Sequence, residues 1–307
     1  MTKRGLLVAC AICVLDGAGC GHHGTGFDNN DGGDDDSPFA NDDSSIGEGG
    51  NAGDGSQPGC SDAAKLIYVV TQQNELWSFD PAMLKFKKIG TLNCPGNNSP
   101  NSMAVSRDAT AYVNMSDGSL YVVNTQNAAC SSTSYQLNQN NRRIRGMGFS
   151  SDTNGGTAET LYTCTANDMT GMGGGLAKIS LPGYKLSLVG DYSNGLGGNE
   201  CELTGTGDAR LFGFYATLMP PKLAEINKSN AQTTSPINLN TIQTSLAYAF
   251  SFWGGDFWFY TSSGLGNSQV TRYKYATDKS FSVVVADTGM TIVGAGVSTC
   301  APVTPPN

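Results

Sequence analysis

Five times along this chain an apolar, aromatic-containing run is followed by a short alternating one, and this recurrence limits the possible folds more than any single motif does. The first members are "KLIYVV", "ATAYVN", "ETLYTC", "RLFGFY" and "DFWFYT"; the second are "LWSFD", "LYVVN", "LAKIS", "LAEIN" and "VTRYK". Alternation ending in a polar residue predicts a strand entering a turn. The aromatic markers Tyr68, Tyr112, Tyr162, Phe212 and Tyr260 stand 44, 50, 50 and 48 residues apart.

That period matches one four-stranded blade of a β-propeller, about 40 to 50 residues. A further strand precedes four of the markers: "SMAVSRD", "RGMGFSSD", "ELTGTGD" and "YAFSFWGGD". Each leads through an aspartate (Asp108, Asp152, Asp208, Asp256), a residue that favours tight turns by bonding nearby backbone amides. The first marker has its aspartate, Asp62, but no strand before it. The apolar run "TIVGAGVST" near the C-terminus supplies the missing strand, and pairing it with the first blade leaves no open edge. The expected fold is therefore all-β: a five-bladed β-propeller over residues 60–307, closed by the C-terminal strand joining the first blade.

Cysteine positions agree with this closure. Cys60, Cys94, Cys130, Cys164, Cys201 and Cys300 form an even set, which sequence alone could pair in 15 ways. Cys300 ends the terminal strand where Cys60 precedes its partner, so Cys60–Cys300 is expected; Cys94–Cys130 and Cys164–Cys201 would link neighbouring blades. In the chain-entropy account a loop as long as 60–300 stabilises by roughly 5 kcal/mol.

The composition changes sharply before residue 60. A basic start, "MTKR", the apolar core "GLLVACAICVL" and small residues before Cys20 form a secretory signal over residues 1–20. The core is too short for a bilayer span of about 20 residues. "GAGC" resembles a bacterial lipobox, with Ala18 and Gly19 before a cysteine that would be lipidated, although Gly17 stands where Leu is usual. The resemblance implies a lipoprotein held in the bacterial cell envelope, at the outer membrane or cell surface, by membrane lipid on Cys20; ordinary cleavage and release is the alternative.

Residues 21–59 hold nine acidic residues, no Lys or Arg, and little apolar surface, and are expected to be a disordered tether spanning roughly 35 Å. Its "DNNDGGDDD" lacks the ligand ladder and closing Glu of an EF-hand loop. With this tether, Asp16, Lys3 and Arg4 set aside, sixteen acidic and sixteen basic residues remain of the chain's net charge of −8. The folded domain is thus neutral, and no basic surface argues for nucleic acid.

Elimination narrows the chemistry. Both histidines, His22 and His23, precede the domain, so His-ligated zinc, a Ser-His-Asp triad and a histidine base are excluded there. Paired cysteines are not nucleophiles. "GMGGGLAKI" leads into a strand rather than a helix, against a phosphate-cradling loop. No catalytic residue is assigned. Across nearly the whole domain the repeats, with strand-turn patterns such as "LWSFDP", resemble the lactonase, NHL and quinoprotein-type propellers. That resemblance implies a ligand site at the mouth of the central channel, where the innermost strands begin. Candidates there are Asn101, Arg143, Arg145, Glu200, Glu202 and Tyr248, with Trp253 as an exposed aromatic for sugar or peptide stacking. Propeller lactonases hold calcium or another divalent ion at this location, which implies Asn101, Glu200 and Glu202 as ligands. The competing expectation is a structural ion pair of Arg143 or Arg145 with Glu200 or Glu202.

The functional expectation is a monomeric binding or scaffolding module for a protein, peptide or glycan, with a metal-dependent lactonase or related hydrolase as the alternative. Non-reducing peptide mapping is expected to recover a Cys60–Cys300 peptide pair; Cys60 joined to any other cysteine contradicts ring closure.

Overall fold

The computed structural model describes residues 60–306, apart from Leu246 and Leu265. The leader, Cys20 and the acidic tether lie outside the described residues. Sheet one contains β1 (Ile67–Thr71), β2 (Glu75–Asp80) and β3 (Lys85–Thr91). Sheet two is β4 (Pro100–Val105), β5 (Thr110–Met115), β6 (Leu120–Asn124) and β7 (Cys130–Ser132). Sheet three is β8 (Arg142–Ser151), β9 (Glu159–Asn167), β10 (Gly173–Ser180) and β11 (Lys185–Gly190). Sheet four is β12 (Glu202–Gly205), β13 (Leu211–Tyr215), β14 (Lys222–Glu225) and β15 (Ile237–Asn238). Sheet five is β16 (Tyr248–Trp253), β17 (Asp256–Ser262), β18 (Ser268–Tyr273) and β19 (Phe281–Val285).

The last strand, β20 (Ile292–Val297), leaves the fifth sheet and pairs antiparallel with β1, giving the first sheet the order β20-β1-β2-β3. Its register sets Ile67 against Val297, Val69 against Ala295 and Val70 against Gly294. Strands β20, β4, β8, β12 and β16 contact one another in a closed ring. The molecule is a five-bladed β-propeller, closed as the repeat pattern requires.

Propeller geometry explains why the marker strands are apolar throughout. Side chains alternate across a strand, and each blade is covered on both faces by a neighbour, so β1 is buried at all five positions. Ile67 and Val69 pack toward the fifth blade, with Trp258 and Tyr260. Tyr68 and Val70 pack toward the second, with Met103 and Val113. The five marker aromatics repeat one role: each faces the following blade. Tyr112 meets Phe149 of blade three at 5.4 Å between centroids, Phe212 meets Phe257 of blade five at 4.9 Å, and Tyr260 meets Phe79 of blade one at 6.1 Å. A ring of this kind contributes about 1.5–3 kcal/mol where it is fully buried, as Phe212 and Tyr260 are, and less at the half-buried Tyr112. The 44-to-50-residue period is therefore the period of the blade interfaces.

Around the axis the inner strands run side by side and close together. A β-carbon at Gly146 in β8 would lie 2.1 Å from the Cys201 carbonyl oxygen, and one at Gly205 in β12 the same 2.1 Å from that of Phe149. Real side chains do not approach so closely, and only glycine fits.

The three disulfides join the expected pairs, with Cα–Cα distances of 5.6 Å (Cys60–Cys300), 4.9 Å (Cys94–Cys130) and 5.8 Å (Cys164–Cys201). Cys164 of β9 meets Cys201 just before β12, linking blades three and four.

Three of the five repeat aspartates serve turns. Asp108 accepts from the Thr110 amide at 3.2 Å and from the Ser106 hydroxyl, Asp208 accepts from Thr206, and Asp152 accepts from Thr160 at 2.7 Å. Asp256 departs from the expectation: it is 1% exposed, opens β17 and is ion-paired with Arg272 at 2.6 Å. Gly254 and Gly255, with φ of 64° and 80°, make that turn instead, as paired glycines do in two-residue hairpins. Asp62 precedes a short 3-10 turn, Ala63–Lys65, and pairs with Lys65 at 3.3 Å.

Gly205→Ala is expected to destabilise the domain by about 1–3 kcal/mol through overpacking, measured by urea denaturation. Gly266→Ala, whose β-carbon would meet nothing within 4 Å, should change stability by less than about 0.5 kcal/mol.

Candidate functional site

Because the inner strands run parallel around the axis, their first residues gather at one end of the channel. A cavity of about 310 Å³ opens there, lined among others by Gln72, Asn101, Glu202, Tyr248, Ser262 and Thr291. Gln72 comes from the β1–β2 turn, Asn101 from β4, Glu202 from β12, Tyr248 from β16 and Ser262 from the end of β17. Three of the expected residues, Asn101, Glu202 and Tyr248, therefore share one wall of space.

Glu202 dominates the electrostatics. It is 5% exposed, and its Oε2 accepts a 2.7 Å hydrogen bond from the Ser102 hydroxyl. Ser102 belongs to blade two and Glu202 to blade four, so the contact bridges two blades that are not neighbours. Ser102 Oγ also accepts from the Met147 amide at 3.0 Å, which aims its own proton at the carboxyl. Among the described residues no arginine or lysine pairs with Glu202. Burial, reinforced by the nearby Glu200 charge and only partly offset by Ser102, pushes its pKa from 4.5 to about 8. Desolvation without a counter-charge favours the neutral acid in this way.

Tyr248 stands beside it. Its ring meets Phe214 edge-on at 6.2 Å. Burial and the charges of Glu202 and Glu200 push its hydroxyl up to about 12, against the opposing pull of Arg145. Asn101 donates its side-chain amide to Asn114 Oδ1 at 3.4 Å, and Asn114 in turn donates to the Arg145 carbonyl at 2.7 Å.

The remaining expected residues fall elsewhere. Arg145 pairs with Glu200 at 3.2 Å, the expected structural ion pair, just outside the cavity lining. Arg143 pairs instead with Asp168 at 3.3 Å, because residues 142 and 143 open β8 opposite the end of β9. Trp253 is not an exposed stacking face and does not belong to the mouth. It ends β16 at the opposite pole, half-buried, donating its indole N–H to the Lys65 carbonyl at 2.7 Å and lying edge-on to Trp258 at 6.4 Å.

Sequence reasoning missed Ser102, Gln72 and Ser262. The first adjoins Asn101 on an inner strand, and alternation could have marked it as the residue turned to the opposite side; the other two sit in or beside turns with no pattern of their own. A half-buried carboxyl, Glu159, lies at the far pole. It accepts from the Arg107 amide at 2.6 Å and from Thr299 Oγ1 at 2.8 Å, and burial raises its pKa. It joins blades two and three to the end of the closing strand.

As a metal centre the mouth is poorly equipped. Calcium takes six to eight oxygens. Here Glu200 is engaged by Arg145, Ser102 holds one oxygen of Glu202, and among the described residues no group of three or more His, Cys, Asp or Glu is placed to hold an ion. The donor set does not fit a calcium site.

No protein-family model matches the chain, and no curated protein does. Solved structures that match include one described as the Dos1 propeller, at 11% identity and a TM-score of 0.39, covering 78% of this chain and 71% of that one. This likeness carries no information on activity.

The raised carboxyl predicts the pH profile of stability. A group whose pKa is higher when folded stabilises fully below its unfolded value and loses that contribution as pH rises through the folded one. Stability should therefore decline from about pH 4.5 to about 8, and Glu202→Gln should flatten the decline. Denaturation midpoints measured across this range check both; an unchanged slope in the variant would contradict the assignment.

Proposed function

We propose that this protein is an exported β-propeller that binds a small ligand at the mouth of its channel, with the propeller serving as a rigid receptor rather than a catalyst. One observation carries the proposal: the mouth cavity gathers uncommitted polar groups from several blades around Glu202, a buried carboxyl without a counter-ion. Convergent polar groups in a concave site, with one perturbed carboxyl, are the usual mark of a ligand site.

Two further features support export. The three disulfides are consistent with an oxidising compartment. The signal and the lipobox-like "GAGC" support a reading in which Cys20 carries a lipid anchor and residues 21–59 act as a tether in a bacterial envelope lipoprotein. The enzymatic alternative, a divalent-metal lactonase or related hydrolase, would draw on Asn101, Glu200 and Glu202, and the donor set argues against it.

Thermal melting of the full chain separates the two. Sugars, amines, amino acids, short peptides and divalent ions are each added in turn, and a compound at a hundredfold excess over its Kd stabilises by about 2.7 kcal/mol. The receptor reading expects a shift from an organic compound that persists in EDTA and is lost in Tyr248→Ala. A shift from calcium or manganese alone, removed by EDTA and by Glu200→Ala, would favour the hydrolase.

A further inference from the structure

The chemistry of the cavity wall narrows the ligand. This inference rests on the receptor reading and names what such a receptor would recognise. Of the two oxygens of Glu202, Oε2 is committed to Ser102. Among the described residues Oε1 has no hydrogen-bond partner, and it is not sealed off from the cavity that Glu202 lines. A carboxyl that is nine-tenths buried, held by one oxygen and open at the other, lacks only a cation.

The neighbouring groups show which cation. The hydroxyl of Tyr248 has no partner among the described residues, and Asn101, having donated its amide to Asn114, keeps its carbonyl oxygen as an acceptor. Among the polar groups of the wall, which also include Gln72 and Ser99, these acceptors from β4, β12 and β16 can serve the three N–H donors of an ammonium group. A guanidinium is a poorer match, since its fork needs both oxygens of a carboxylate and one here is occupied. Divalent ions favour several carboxylate oxygens, and among the described residues Glu202 is the one carboxyl that lines the cavity. Anions meet the charge of Glu200 beside Glu202. At about 310 Å³ the cavity is near the lower end of ligand pockets, suiting a short aliphatic chain rather than an oligosaccharide.

We propose that the channel mouth is a receptor site for an aliphatic primary ammonium group, anchored by Glu202 Oε1, with the Asn101 carbonyl and the Tyr248 hydroxyl completing its shell. The ammonium belongs either to a free amine or to a lysine side chain; the recognition chemistry is the same. Binding is linked to proton release. The groups facing Glu202 are Ser102 from β4, Glu200 from its own segment, Arg145 from β8, already paired to Glu200, and Tyr248 from β16, while β20 offers no titratable side chain. Without ligand, burial keeps Glu202 protonated up to about pH 8, so the incoming cation displaces a proton.

Isothermal titration of the full chain with 1,5-diaminopentane, pentan-1-ol and Nα-acetyl-lysine methylamide tests this. The diamine should bind at one site at least tenfold more tightly than the alcohol, with affinity rising roughly tenfold from pH 6 to pH 7. Glu202→Gln should abolish both the preference and the pH dependence, and Tyr248→Phe should weaken binding several-fold. If Glu202→Gln fails to fold, the pH dependence of the wild type decides. The lysine derivative binding as well as the diamine identifies a peptide-borne group; the diamine binding alone identifies a free amine. Alcohol and diamine binding equally, or a pH-independent affinity, overturns the proposal. If neither amine binds while another compound shifts melting in a Tyr248-dependent way, the receptor reading stands and the ammonium assignment falls. If no compound binds at all, both fall.

Discussion

Everything in this molecule depends on how little room five strands leave around a common axis. The inner strands approach until backbone touches backbone, which is why Gly146 and Gly205 carry no side chain. A ring so tight must be closed, since an open one would expose an inner strand and the apolar face of the blade beside it. Strand β20 closes it by supplying the first sheet with its inner member, and Cys60–Cys300 fastens the seam. Apolar side chains are displaced outward into five interfaces between blades, each with its own aromatic, so the core is a set of radial seams rather than a single layer.

The same narrowness produces the site. A glutamate entering the axis from blade four has only the serine of blade two within reach of one oxygen. No cation shares the space, because Arg145 has been drawn aside by Glu200 and Arg143 by Asp168. Replacing such a carboxyl with a well-packed neutral residue is often neutral or stabilising. Its position at an open cavity, with one oxygen uncommitted, gives it a use that stability does not. Glu159 at the other pole is the instructive contrast: it is half-buried and also raised, yet both its oxygens are taken by the backbone of blade two and by Thr299. One carboxyl has both oxygens committed to the fold, and the other keeps one oxygen free beside its cavity.

Much of the architecture was legible because blade interfaces impose a period on the chain. Tyr68, Tyr112, Tyr162, Phe212 and Tyr260 recur because each packs on the next blade, and the first blade's missing strand could be found by counting. Asn101, Glu202 and Tyr248 were readable as mouth residues from their place at the start of inner strands. What failed was finer than the repeat. Trp253 was expected at the mouth, but it lies six residues into its strand, at the opposite pole. Asp256 looked like its counterparts at the other turns, but a Gly-Gly pair made its turn and left the carboxylate free for Arg272. Arg143 and Arg145 would share a face of a regular strand, but the register of β8 shifts between Ile144 and Met147, and the two have different partners. Ser102 could be placed by alternation next to Asn101, but its role comes from a glutamate a hundred positions away.

The central claim is that the mouth holds a buried carboxyl with no counter-charge. Its most direct test is the ionisation of Glu202 itself, followed by the carboxyl carbon resonance of glutamate-labelled protein and assigned with Glu202→Gln. A Glu202 resonance titrating near pH 8 would bear out the account, and one titrating near 4.5, the value for a solvated carboxyl, would show that water or an unseen cation already compensates it and would contradict the account.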